Sequence, residues 1–133
     1  MKRFDVQSIA LDIPRKKAFQ FIADPRQLPK WAHAFATVTG NRAVMRTPNG
    51  EVPIDLQVRA SAEHGTVHWH MTFPDGSTAA AYSRVVDLGQ NGCAYSFVLT
   101  PPPVPLEQLE GALSEQSKTL ATELATLKGI LER

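Results

Sequence analysis

From Pro105 to Arg133 the sequence reads as one long amphipathic helix, and it follows a run of strand-like segments joined by tight turns. Leu106, Leu109, Leu113, Leu120, Leu124, Leu127 and Leu131 recur at intervals of three, four or seven residues, so they line a single helical face. About 27 residues at ~1.5 Å each make a rod of roughly 40 Å, long enough to cross a whole small domain. Such a rod needs a curved sheet to cover. Where the two surfaces part, the gap is an apolar pocket, and function is to be sought there.

The chain has 133 residues, which fits one domain spanning 1–133 that folds without disulfides. Its single cysteine, Cys93, excludes an intramolecular bridge and suits a reducing, cytoplasmic setting. Cys93 follows a hairpin turn with no helix N-terminus to activate it, which predicts an inert thiol. The opening MKRFDVQSIALDI breaks its apolar positions with Asp5, Gln7, Ser8 and Asp12, so no signal-peptide core is expected, and no stretch is long enough for stable membrane insertion. A net charge of +1 argues against nucleic acid as a partner. Arg15, Lys16 and Lys17 nevertheless occupy a predicted first helical turn, where the helix dipole prefers acids. They are either a solvated face or a contact for an anionic partner or membrane surface.

Phe4 to Ile13 alternates with a phase slip near Ser8, which predicts a strand with a bulge. Pro14 opens a helix carrying Ala18, Phe19, Phe21 and Ile22; Asp24 then caps a second short helix with Pro25 first, bearing Leu28, Trp31, Ala32 and Phe35. Thr37 to Thr100 reads as an antiparallel meander with turns at Asn49-Gly50, Asp75-Gly76 and Asn91-Gly92. Two-residue tips at those pairs set Met45 opposite Ile54 and Thr47 opposite Val52, then Trp69 opposite Tyr82, then Val86 opposite Phe97. The resulting apolar face holds Leu56, Val67, Trp69, Met71, Phe73, Tyr82, Val86, Leu88, Tyr95, Phe97 and Leu99. Ser83 and the histidines of the fifth strand fall on the solvent side. Pro101-Pro102-Pro103 makes a stiff corner before the closing helix.

Strand, two short helices, meander and closing helix, together with FIADPRQLPKWA from Phe21 to Ala32, resemble the SRPBCC superfamily. The likeness covers essentially the whole chain and is specific for fold rather than function. It implies an α+β helix-grip fold: a curved antiparallel sheet of about six or seven strands, two short helices after the first strand, and a long C-terminal helix over the concave face. START lipid-transfer domains, the birch-pollen allergen family and polyketide cyclase/dehydrase-like proteins share that fold. Their members bind lipids, sterols, polyketides or hormones, and others are enzymes or protein partners.

His68 and His70 share one side of a strand, with His64 nearby, but they alternate with Trp69 and Met71 and so point outward, which predicts no metal site. His33, beside Trp31, is either an acid–base group at the pocket mouth or a surface residue. The registers turn Thr47, Thr78, Tyr82, Arg84 and Tyr95 inward, opposite Gln116 or Ser117 of the helix seam. Arg84 then either anchors a ligand carboxylate, enolate or carbonyl, or snorkels to a helix acid such as Glu123 while the tyrosines close the core. The expected pocket wall adds Trp31, Phe35, Leu56, Trp69, Met71, Phe73 and Phe97, with Leu113, Gln116 and Leu120 from the helix. Phosphate loops, nucleophile elbows and Cys/His metal spacings are absent, so no cofactor is expected. The primary reading is a binder of a small hydrophobic or amphipathic molecule. One alternative is a polyketide cyclase or dehydratase using Arg84, Tyr82, Tyr95 or His33; another is an interaction module without a ligand, and a homodimer is compatible with either.

Overall fold

The computed structural model describes residues 4–47, 50–100 and 106–133, the side chains of Thr47 and 106–111 excepted. The elements run β1 (Asp5–Leu11), α1 (Arg15–Ile22), a 3-10 turn (Pro25–Gln27), α2 (Leu28–Trp31), β2 (Phe35–Thr39), β3 (Arg42–Thr47), β4 (Gly50–Ser61), β5 (Thr66–Thr72), β6 (Thr78–Gly89), β7 (Gly92–Leu99) and α3 (Leu106–Leu131). All seven strands form one antiparallel sheet in the order β1-β7-β6-β5-β4-β3-β2. The first strand closes onto the last, and β1 and β2 are the edges. α3 packs against β1 and α2, burying Leu120, Leu124 and Leu127 in the core with Trp31, Trp69 and Tyr95. Leu113 is buried as well, whereas the side chains of Leu106 and Leu109 lie outside the described residues. No helix among the described residues is long and apolar enough to cross a membrane.

The expected cap forms: the Asp24 side chain accepts from the backbone N–H of Arg26, with Pro25 at the first helical position. Phe35, expected on the second helix, instead begins β2, because the backbone at Ala32 turns extended after Trp31. β1 carries no bulge; its register with β7 is continuous from Asp5↔Leu99 to Leu11↔Cys93. That regular alternation turns Asp5 and Gln7 inward and leaves Phe4 and Val6 half exposed. The inward polar groups are satisfied locally: Gln7 Nε2 donates to Asp5 Oδ2 at 2.9 Å and to the Ser117 carbonyl at 2.8 Å, and Ser117 Oγ donates to Asp5 Oδ2. Ser117 interrupts the leucine seam to meet them.

All three hairpin registers differ from the expected ones. Met45 faces Val52 rather than Ile54, a shift of two that keeps both on the inner face, with the tip at Asn49 outside the described residues. In the second hairpin the Asp75 carboxylate accepts from both the N–H and Oγ of Ser77, and Phe73 N–H donates to the Ser77 carbonyl, which enlarges the tip. Trp69 therefore faces Ala81 rather than Tyr82, a shift of one. In the third, the tip is Gln90-Asn91, both at positive φ (52° and 62°), and a bulge between Asp87 and Gly89 precedes it. Phe97 consequently faces Ser83 rather than Val86, a shift of three. Odd shifts reverse a strand's faces. Tyr82, Arg84, Val86 and Leu88 thus lie exposed on the outer face, and Ala81, Ser83 and Val85 are buried on the inner one.

In the basic first turn of α1, Arg15 is bonded to backbone carbonyls. Its guanidinium donates to the carbonyls of Ala62 (2.8 Å), Glu63 (3.4 Å) and Val85 (3.3 Å), so it straps α1 to the β4–β5 turn. Lys16 and Lys17 are exposed.

Candidate ligand-binding cavity

A cavity of about 790 Å³ lies between α2, α3 and the inner face of the sheet. It exists because β6 presents small side chains there. Trp69 and Met71 of β5 pair with Ala81 and Ala79, and Ala81 pairs in turn with Leu99 of β7, so large flanking side chains face each other across a strip without bulk. Trp31 stands edge-on to Trp69 (centroids 6.3 Å apart, 64°) and to Tyr95 (6.4 Å, 82°), while Trp69 stacks on Phe97 (5.7 Å, 25°). These contacts make one rigid wall. α3 supplies the opposite wall through Ala112, Gln116, Thr119, Leu120 and Glu123.

Of the residues expected at the site, Trp31, His33, Phe35, Trp69, Met71, Phe73, Phe97, Gln116 and Leu120 line this cavity. Leu56, Tyr95 and Leu113 are buried without lining it, and the Thr47 side chain lies outside the described residues. Tyr82 and Arg84 are on the opposite face of the sheet. Tyr82 meets His68 and His70 edge-on at 4.9 and 6.1 Å, and Arg84 Nε donates to the His64 carbonyl at 3.1 Å, so Arg84 neither anchors the cavity nor reaches Glu123.

The Tyr95 hydroxyl is buried with no hydrogen bond; burial drives its pKa far up, with the nearby Ser83 hydroxyl opposing, and Ser83 Oγ itself donates to the Val67 carbonyl at 2.7 Å. Tyr95→Phe should therefore leave urea-midpoint stability unchanged or raise it by about 1 kcal/mol, since a buried hydroxyl without a partner is a cost. A clear loss would mean that the hydroxyl is bonded after all.

Glu123, which the sequence offered only as an acid partner for Arg84, is instead a polar group of the cavity itself. It stands three residues after Leu120 and four before Leu127, inside the leucine seam, and an acid at that spacing was the available signal. Its carboxylate lines the cavity and accepts from the backbone N–H of Ala34 (3.4 Å), with the His33 N–H close by, in the segment between α2 and β2. Burial pushes its pKa up to about 7, against the smaller opposing pull of those two N–H donors. Because the folded value lies above the unfolded one, the folded state binds more protons between the two. Stability is fully present below about pH 4.5 and is lost as pH rises toward about 7, by up to roughly 3 kcal/mol. Chemical denaturation across that window should show the decline, and Glu123→Gln should flatten it. An unchanged slope in that variant would assign the decline to another group.

No protein-family profile matches the sequence, and no curated protein does. The fold, by contrast, is shared with solved structures over nearly the full length. A START superfamily protein from Mycobacterium smegmatis superimposes with a TM-score of 0.71 at 14% identity, covering 98% of each chain. The Zhui aromatase/cyclase from Streptomyces sp. R1128 gives 0.70 at 10% identity, over 98% of this chain and 94% of that one. The di-domain aromatase/cyclase BexL gives 0.65 at 11% identity, covering 98% of this chain and 45% of its own. The chain has the SRPBCC-type helix-grip fold of these START and cyclase structures.

Proposed function

We propose that the protein binds a small hydrophobic or amphipathic molecule in the cavity between sheet and α3, and that it does so in the cytoplasm. The observation that carries this reading is the alanine strip of β6, which leaves about 790 Å³ open between aromatic walls, a volume suited to a small ligand. Empty apolar volume lowers stability, so a fold that needed only to be stable would have filled it. With Arg84 and Tyr82 on the outer face, the cyclisation chemistry assigned to them has no geometric basis, and the strapping role of Arg15 weakens the reading of α1 as a basic docking face.

The test fills the cavity from its alanine strip and leaves the aromatic walls and α3 unchanged. The wild type should take up a neutral solvatochromic dye such as Nile red, and a double variant Ala79→Leu/Ala81→Leu should bind it about tenfold or more weakly while melting no lower, as its added side chains enter existing space. Equal dye binding by the filled variant would remove the cavity from the function. Native mass spectrometry of protein from its own host would then identify any co-purifying molecule.

A further inference from the structure

The chemistry of the cavity narrows the class of ligand, on the premise that the cavity is the binding site. Its lining is apolar apart from a few groups, and Glu123 is the charged group set among the aromatic residues of α2 and β2. A carboxylate offers about four acceptor positions, and the two backbone N–H groups that reach Glu123 leave some of them open. The titratable and charged side chains sharing the cavity are Glu115, two turns earlier on α3, His33 from the segment after α2, and Arg46 from β3. Arg46 Nη1 is engaged with the His33 carbonyl at 2.8 Å, and no cation among the described residues lies within ion-pair distance of Glu123. An acid held in an apolar wall without a counter-ion is costly when ionised, and a donor brought by a ligand removes that cost.

We propose that the cavity selects amphiphiles whose polar group is a hydrogen-bond donor, an amine above all, and seats that group on the Glu123 carboxylate. The apolar body of the ligand then lies against Trp31, Trp69 and Phe97. A fatty acid of the same chain length brings a third carboxylate beside Glu123 and Glu115 and is disfavoured. At low pH Glu123 becomes neutral, and the preference for a cation shrinks.

Dodecylamine, dodecanol and laurate, each below its aggregation concentration, would be titrated against bound Nile red at about pH 8.5 and pH 5.5, where the amine stays charged throughout. The expected order at the higher pH is amine, then alcohol, then acid, with the amine at least about tenfold tighter than laurate, as a charge-assisted hydrogen bond implies. Lowering the pH should narrow that gap in the wild type. Glu123→Gln should collapse it at both pH values, by lowering amine affinity toward that of dodecanol. Laurate binding as tightly as the amine, or an amine preference that survives in Glu123→Gln, would overturn the proposal while leaving the cavity reading intact. Failure of Nile red and dodecanol alike to bind would instead overturn the cavity reading, and this inference with it.

Discussion

Gly65→Ala should cost about 3–5 kcal/mol of folding stability, the largest effect expected of any change this small. Gly65 sits in the turn after β4 at φ +72°, and a Cβ there would stand 2.4 Å from the Val85 carbonyl and 2.8 Å from an Arg15 guanidinium nitrogen. Neither neighbour can retreat cheaply. The Val85 carbonyl belongs to β6, the Val85 N–H donates to the Gly65 carbonyl at 2.8 Å, and Arg15 is tied to three carbonyls around the turn. Adding a methyl group therefore strains the turn, pushes β6 and loosens α1 together. Gly76→Ala is the control. Its φ is +87° with nothing within 4 Å, so it pays backbone strain alone, about 1–2 kcal/mol. Urea midpoints of the two variants that matched would show that the close approach at Gly65 has no energetic weight.

Trp31→Ala should cost about 3–5 kcal/mol, because it removes the largest side chain that joins α2 to the sheet. Trp31 is 2% exposed and touches both Trp69 and Tyr95 edge-on. Its indole N–H has no hydrogen-bond partner, so Trp31→Phe keeps the ring contacts, gives up no bond and should cost at most about 1.5 kcal/mol. Thermal melts would distinguish this from an indole held by its nitrogen, for which the phenylalanine variant would fall nearly as far as the alanine one.

Which parts of this fold were legible follows from local contrast. α3 was readable because its leucines repeat over seven turns, and β5 because Val67, Trp69 and Met71 alternate with His68 and His70, so no register was needed to orient it. β6 offers no such contrast. It begins Thr78-Ala79-Ala80-Ala81, and the apolar Tyr82, Val86 and Leu88 that follow favour the wrong face. Its orientation depended on turn geometry, where one residue decides everything: the Asp75 and Ser77 hydrogen bonds at one end and the Gln90-Asn91 tip with its bulge at the other are invisible to a pair-based turn rule. The cavity was inferred for the correct general reason, a helix across a sheet, but its immediate cause is the strip of alanines that the expected register had pointed at solvent. Likewise β1 presents Asp5 and Gln7 inward, against hydropathy, because Ser117 waits for them 110 residues or more away in the chain.

The closure of β1 onto β7 sets a timetable for biosynthesis. β1 is an edge strand whose sheet partner is residues 93–99, so its hydrogen bonds cannot form until that segment has left the ribosome. Until then Phe4, Val6 and Ile9 belong to an unpaired strand, open to association with a neighbouring chain. The meander from β2 to β7 has only short-range pairings and can assemble first, hairpin by hairpin, with Arg15 already able to strap α1 across the β4–β5 turn once Val85 is in place. The annealing of the N-terminal strand and the docking of α3 upon it have the highest sequence separation in the fold and so carry the largest loop-closure cost. A chain truncated before β7 would retain most of its hairpins and none of the surface that holds its own beginning.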